Sequence, residues 1–327
     1  MMRIAAALLI PACVAAFGAR AEEFSAHALA FHPSSPALVL VRGRAGGVRI
    51  VDFADPAKPA EREISAGAEA ADFVGDGARI VLGEKGRLRL VALDGKDAGP
   101  GAEAAREPII AVAVSPRERA VALLDRKLGL QLWDWRDGPV RRRWQAVLDR
   151  TTDYCIAGDV AFAPDESAVA AITCFNNVHV RTRAGQAVAV PRGRDGYESC
   201  CGVKIRFSPD GGFLVARRGA QPGWSAHLWT YRGGALSGGR EFPGTKYARD
   251  IAFVRGTREV IVLDEAGLRR LDPLAPRRAT TLVAMSPQET DAVAVSADGA
   301  RLATIEGRNT IAYRTLAGAP LGRITLR

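Results

Sequence analysis

The sequence predicts an all-β chain, a seven-bladed β-propeller of four-stranded antiparallel blades, from one phrase that recurs seven times at a fixed period. Each copy is a short apolar strand that ends on a large or branched residue and runs into a turn. The copies read ALAFHPSSP at Phe31, AADFVGDGA at Phe73, AVAVSPRER at Val114 and DVAFAPDES at Phe162, then KIRFSPDGG at Phe207, DIAFVRGTR at Phe253 and AVAVSADGA at Val295. These anchors stand 42, 41, 48, 45, 46 and 42 residues apart. That is the period of a propeller blade.

The elements follow in order within each copy. Past the anchor comes a second apolar run: ALVLV, RIVLG, AVALL, AVAAI, FLVAR, EVIVL and RLATI. A third ends about 20 to 24 residues past the anchor: VRIVDF, LRLVAL, LQLWDW, VHVRTR, AHLWTY, LRRLDP and IAYRTL. Less regular stretches such as RRRWQAV, GREFPG and LGRITLR supply a fourth strand. The runs are short, valine-rich and broken by Gly, Asp and Pro, which excludes a repeat of paired helices. Pro33, Pro116, Pro164 and Pro209 each lie two residues past an anchor, where a turn needs no ladder donor. The first copy opens with an innermost strand and the last closes with an outermost one. The ring is therefore expected to close by side-chain packing between first and last blades, without a swapped strand.

Residues 1–21 read as a secretory signal peptide, leaving 22–327 as one propeller domain. Arg3 supplies the charge, Ile4 to Phe17 the apolar run, and Ala19-Arg20-Ala21 the small-x-small cleavage signal. The run is too short for a membrane span. The expectation is a periplasmic or secreted protein cleaved near Ala21, with lipidation at Cys13 as the alternative. The formal charge of +9 is spread along the chain, and aromatics make up only 6%. A nucleic-acid partner and a membrane span are not expected.

FSPDG (207–211), FAPDE, VSADG and LWDW (132–135) resemble WD-repeat propellers. Only Trp133-Asp134 reproduces the Trp-Asp signature, and no blade carries the Gly-His pair of that family. The resemblance to a divergent, secreted WD-repeat-like protein implies the fold and no particular activity.

Motifs for zinc hydrolysis, covalent haem, a nucleophile elbow and a phosphate loop are absent. GWSAH (223–227) puts Ser225 near His227, and is read as the start of a strand with the two side chains facing apart. Inner strands of a propeller run the same way, so their first residues ring one mouth of the channel. Asp159, Lys204 and Asp250 stand three residues before their anchors, with Glu69 and Asp291 one residue earlier. Such carboxylates suit a divalent cation or an acid–base pair, or else ion pairs with Lys204, Arg206 and Arg249.

Cys155 and Cys200 each precede an anchor by seven residues; Cys201 is adjacent, and Cys174 ends the second strand of blade four. All four are expected on one face over blades four and five, as two disulfides. Cys155–Cys174 with a strained vicinal Cys200–Cys201 is favoured over Cys155–Cys201 with Cys174–Cys200. A hairpin pairing Phe175 with Val178 would set Cys174 opposite His179. Tyr154 and Tyr197 flank the cysteines and, with His179, make the candidate binding face. The function expected is a binding or assembly module for a protein partner or small ligand. The alternatives are a lactonase-like, metal-assisted hydrolase at the channel mouth and an accessory subunit of a periplasmic oxidoreductase.

Overall fold

The computed structural model describes residues 24–117, 119–135, 140–149, 157–191, 204–220, 223–243, 245, 247–275, 278–284 and 290–327. Seven four-stranded antiparallel sheets stand in a ring, each built from four consecutive strands. Blade one holds β1 (Ala26–Phe31), β2 (Leu38–Gly43), β3 (Val48–Asp52) and β4 (Ala60–Ser65). Blade two holds β5 (Ala70–Phe73), β6 (Arg79–Glu84), β7 (Arg87–Ala92) and β8 (Ala102–Glu103). Blade three holds β9 (Ile109–Val114), β10 (Ala120–Asp125), β11 (Gly129–Asp134) and β12 (Arg141–Val147). Blade four holds β13 (Asp159–Phe162), β14 (Ala168–Ile172), β15 (Val178–Thr182) and β16 (Ala187–Val188). Blade five holds β17 (Lys204–Phe207), β18 (Phe213–Ala220), β19 (Gly223–Arg232) and β20 (Ala235–Glu241). Blade six holds β21 (Asp250–Phe253), β22 (Val260–Asp264), β23 (Gly267–Leu271) and β24 (Thr280–Val283). Blade seven holds β25 (Thr290–Val295), β26 (Arg301–Glu306), β27 (Thr310–Thr315) and β28 (Pro320–Thr325). Every anchor residue read from the sequence ends an innermost strand. Among the described residues no helix is long and apolar enough to cross a membrane.

The packing explains the residue pattern. Second strands lie between two covered faces, so β10, β14 and β22 are buried at every position and read as unbroken apolar runs. Outermost strands such as β12 and β28 are mostly exposed and alternate weakly. The core is interleaved between blades: Leu124 and Leu130 of blade three pack with Val160 and Phe162 of blade four. Each such side chain contributes about 1.5–3 kcal/mol on full burial. The ring closes as expected, with no exchanged strand among the described residues. At that seam Val41 and Phe53 meet Ile305 and Tyr313, and the Phe53 and Tyr313 rings stack at 4.6 Å. The Tyr313 hydroxyl donates to Pro36 O at 3.0 Å, and Ala26 N donates to Arg308 O at 2.7 Å.

The turn after an anchor is closed locally. In blade five, Ser208 Oγ donates to Asp210 Oδ1 at 2.5 Å and accepts Phe213 N at 2.8 Å, while Gly212 N donates to Asp210 Oδ1 at 2.9 Å. Gly211 takes φ 71° there, a conformation that favours glycine. Blade seven repeats the arrangement with Ser296, Asp298, Ala300, Arg301 and Gly299. The recurring Ser-x-Asp-Gly phrase is thus a turn device.

Two local expectations are corrected. His179 pairs with Ala171, not Cys174, because Ile172 pairs with Val178 and the turn spans Thr173 to Asn177. Asn176, at φ 61°, lets that wider turn close. The β18–β19 hairpin runs out to Ala220 and Gly223, so His227 lies inside β19, paired with Ala216.

Candidate functional site

Innermost strands all start at one end of the channel, and second strands return to it. Hairpin turns such as β14–β15 therefore open at the same end as the starts of β13, β17 and β21. One edge of each innermost strand pairs with its own blade; the other faces the channel with unpaired N–H groups. Carboxylates of the preceding blade meet these donors. Asp72 Oδ2 accepts Val114 N at 2.9 Å, Asp159 Oδ2 accepts Ile205 N at 3.1 Å, and Asp250 Oδ2 accepts Val293 N at 2.9 Å. Asp250 Oδ1 also accepts its neighbour Ile251 N at 2.8 Å.

Asp159, Lys204 and Asp250 stand at the starts of β13, β17 and β21, all three buried. They form no ring of like charges. Arg206 pairs with Asp159, and Lys204 Nζ lies 3.7 Å from Asp250 Oδ2. Glu69 takes Arg126 Nη2 at 3.0 Å. The side chain of Asp291 lies outside those described. Among the described residues no three of His, Cys, Asp and Glu gather as a metal-holding group.

Sequence reasoning missed Asp72 and Arg42. Asp72 is legible as the one acid in an inner-strand position where blades one, three and four carry alanine. Arg42 belongs to β2 and reaches the channel from a second strand, so no inner-strand pattern exposes it. Both line a cavity of about 380 Å³ that also touches Asp159, Arg206 and Asp250.

The charges there are strongly perturbed. Burial pushes the Asp72 carboxyl up to about 6, against the pull of the Val114 N–H and Arg206. Burial also lowers Lys204 and Arg42, with Asp250 and Asp159 respectively the largest opposing charges. Burial works against the Arg206 cation too, yet Asp159 and Asp250 raise its pKa overall. A bulge between Ala26 and Ala28 sets His27 at the same mouth. Burial, then Lys204, Arg42, Arg44 and Arg217, drive its pKa down to about 3.

A second constellation adjoins the mouth over blades four and five. Asp149 accepts Thr173 Oγ1 at 2.8 Å and Asn177 Nδ2 at 3.0 Å, and its Oδ1 lies 3.2 Å from His179 Nε2. From blade five, Arg218 Nε donates to Asn176 O at 3.1 Å. His179 thus belongs to a clamp around the β14–β15 turn. Cys174 packs against the core between blades three and four. Tyr154, Cys155, Tyr197, Cys200 and Cys201 lie outside the described residues.

Ser225 and His227 share a face of β19, because residues two apart on a strand point the same way. Ser225 Oγ lies 3.3 Å from His227 Nε2. The expectation that they face apart is therefore wrong. His227 is 0% exposed and Ser225 is buried with it, so the pair is closed to solvent, with the His227 ring 6.1 Å from that of Trp229. No family model and no curated protein matches the sequence.

Proposed function

We propose that the protein is an exported, divergent WD-repeat-like binding or assembly module that engages a protein or ligand through the face over blades four and five. The observation that carries this reading is the occupation of the channel carboxylates. Asp72, Asp159 and Asp250 each hold a backbone donor of the next blade, which suits a scaffold better than acid–base work. The clamp by Asp149 and Arg218 supports the choice of face. It holds a turn of blade four rigid against blade five, and a preorganised surface loses less entropy on binding.

Two disulfides on the same face belong to this reading. On this reading Cys174 is a bonded sulfur and not a free thiol. Cys155 is the partner we favour, because described residues on either side of it, Asp149 and Gly158, both lie beside the turn. Asp149 grips Thr173 and Asn177, and a Cβ on Gly158 would lie 3.0 Å from Ile172 O. Cys200–Cys201 would then form the second bridge.

The test is affinity capture from the exported proteins of the source cell, with the unaltered chain and Asp149→Ala compared at matched folding. A partner retained by the first and lost by the second supports the reading. Equal retention moves the interface off this face. Turnover of a lactone or ester, abolished in Asp250→Asn, would replace the binding module with an enzyme.

A further inference from the structure

We propose that the channel cavity is a binding site for a free α-amino acid with an apolar side chain, its ammonium taken by Asp72 and its carboxylate by Arg42. The site lies inside the ring, so it stands or falls independently of the face over blades four and five.

The first observation is that the five charged groups lining the cavity divide into engaged and unengaged ones. Asp159 holds Arg206 and Ile205 N. Arg206 donates in addition to Ile205 O at 2.7 Å. The two oxygens of Asp250 take Val293 N and Ile251 N. Asp72 and Arg42 remain. Asp72 accepts the backbone N–H groups of Val114 and Phe73, and among the described residues no side chain pairs with it. Arg42 makes a single hydrogen bond among those residues, a long one of 3.4 Å from Nη1 to Glu69 O. One acid without a cation and one underused guanidinium fork suit a ligand that carries both opposite charges. Burial lifts the Asp72 carboxyl to about 6, so its ionised form would gain from an ammonium beside it.

The second observation is spacing. Arg42 pairs with Ala28, three residues before the Phe31 anchor, whereas Asp72 stands one residue before the Phe73 anchor. That two-residue offset sets their backbones at levels about 7 Å apart along the channel. The bond to Glu69 O places the guanidinium beside the chain entering β5, the strand that carries Asp72. No direct ion pair joins the two among the described residues, and a zwitterion with both charges on one carbon spans such a gap. The third observation is the wall. Phe31, Phe162 and Phe253 line the same cavity with Val114 and Val295, and each ends an innermost strand. They offer an apolar side chain contact and penalise a further charge. The cavity of about 380 Å³ sits at the small end of ligand pockets, which fits a single amino acid.

The experiment is calorimetric titration of the full chain at neutral pH with L-phenylalanine and L-leucine. Each is compared with the amine that lacks its carboxylate and the acid that lacks its ammonium. Saturable binding of at least one amino acid is expected, with its amine and its acid each weaker on the order of tenfold, the loss of one charge-assisted hydrogen bond. Asp72→Asn, which keeps an acceptor for Val114 N, and Arg42→Gln should each weaken the amino acid by a similar factor, on the order of tenfold. Arg79→Gln, in an exposed turn pair with Asp76, should leave binding unchanged. Should a cavity variant fail to fold, the truncated probes on the unaltered chain decide. An amine or an acid that binds as tightly as its parent amino acid overturns the site. So does the absence of saturable binding by both amino acids, or binding that either folded cavity variant leaves untouched.

Discussion

The two ends of the channel are built by opposite rules. At the end where innermost strands finish, the chain repeats itself: Ser208 with Asp210 and Ser296 with Asp298 make the same short-range bonds in blades five and seven. At the end where those strands start, the bonds run between blades: Asp72, Asp159 and Asp250 each accept a backbone N–H of the next blade. Equivalent first positions hold Asp159, Lys204 and Asp250, and each acid spans more than forty residues to reach the next blade. Local, repeated hydrogen bonds serve the fold of each blade by itself. Long-range ones fix neighbouring blades against each other, and the charges that differ from blade to blade beside them, Lys204 against Asp159 and Asp250, set the geometry of a single place.

The comparison breaks most visibly at Asp250. Its carboxylate is 1% exposed, takes two backbone N–H groups and faces Lys204. Asp250→Ala should cost about 3–5 kcal/mol, because it strands a buried cation as well as two amides. Urea unfolding measures it. Adding Lys204→Met should recover part of that loss, since the stranded ammonium goes too. Strict additivity would show that the two groups do not interact.

Next in size is the bridge proposed at Cys174. Closing a loop of about 20 residues to Cys155 is worth about 3 kcal/mol in the chain-entropy account. Cys174→Ser should lower stability by roughly that much under oxidising conditions and hardly at all in reductant. Non-reducing peptide maps should link the Cys155 and Cys174 fragments. A Cys174 fragment joined to Cys200 or Cys201 would exchange the favoured pairing for the other.

The third effect is a pH dependence that cancels in the unaltered protein. Asp72 titrates at about 6 when folded, above the ordinary value near 3.9. Its folded form binds the proton more tightly, so the stability it adds is present at low pH and lost as pH rises from about 4 to 6. His27 titrates at about 3, below an unfolded value near 6.5. Its contribution is complete above about 6.5 and lost as pH falls towards 3. Between about pH 4 and 6 the two slopes oppose each other, each near 1.4 kcal/mol per pH unit. Asp72→Asn should therefore make stability fall on acidification, and His27→Gln should make it rise. Unfolding titrations across that window that show one common slope for all three chains would rule the cancellation out.

What the sequence made legible follows the same division. The seven anchors, the strand order and the closure without exchange were readable because they repeat, and a repeat averages out local noise. The start positions of β13, β17 and β21 were readable by counting back from an anchor. Their partners were not. Asp72 gains meaning only when Val114 N of the next blade is placed against it. His179 was misplaced because Asn176 tolerates the left-handed conformation, so the turn closes over Thr173–Asn177. Arg42 enters the channel from the second strand of its blade, outside the ring that inner-strand counting defines.

The smallest effect sharpens the comparison by its uniformity. Asp210 and Asp298 both lie exposed on turns. The carboxyl of Asp298 is held below the ordinary range by the Ser296 hydroxyl and then Ala300 N. That of Asp210 is held low, despite some burial, by the Ser208 hydroxyl and Gly212 N. Replacing either by Ala removes one backbone acceptor at a place where water can substitute, so each should cost about 1 kcal/mol. Blades five and seven should lose the same amount, and the two losses should add in the double variant, because the turns share no partner. Equal, additive costs at this end, set beside unequal, coupled costs at the mouth, would establish that only one end of the channel is specialised. Coupling between Asp210 and Asp298 would mean that strain passes around the ring from blade to blade, and the local reading of the turns would fall.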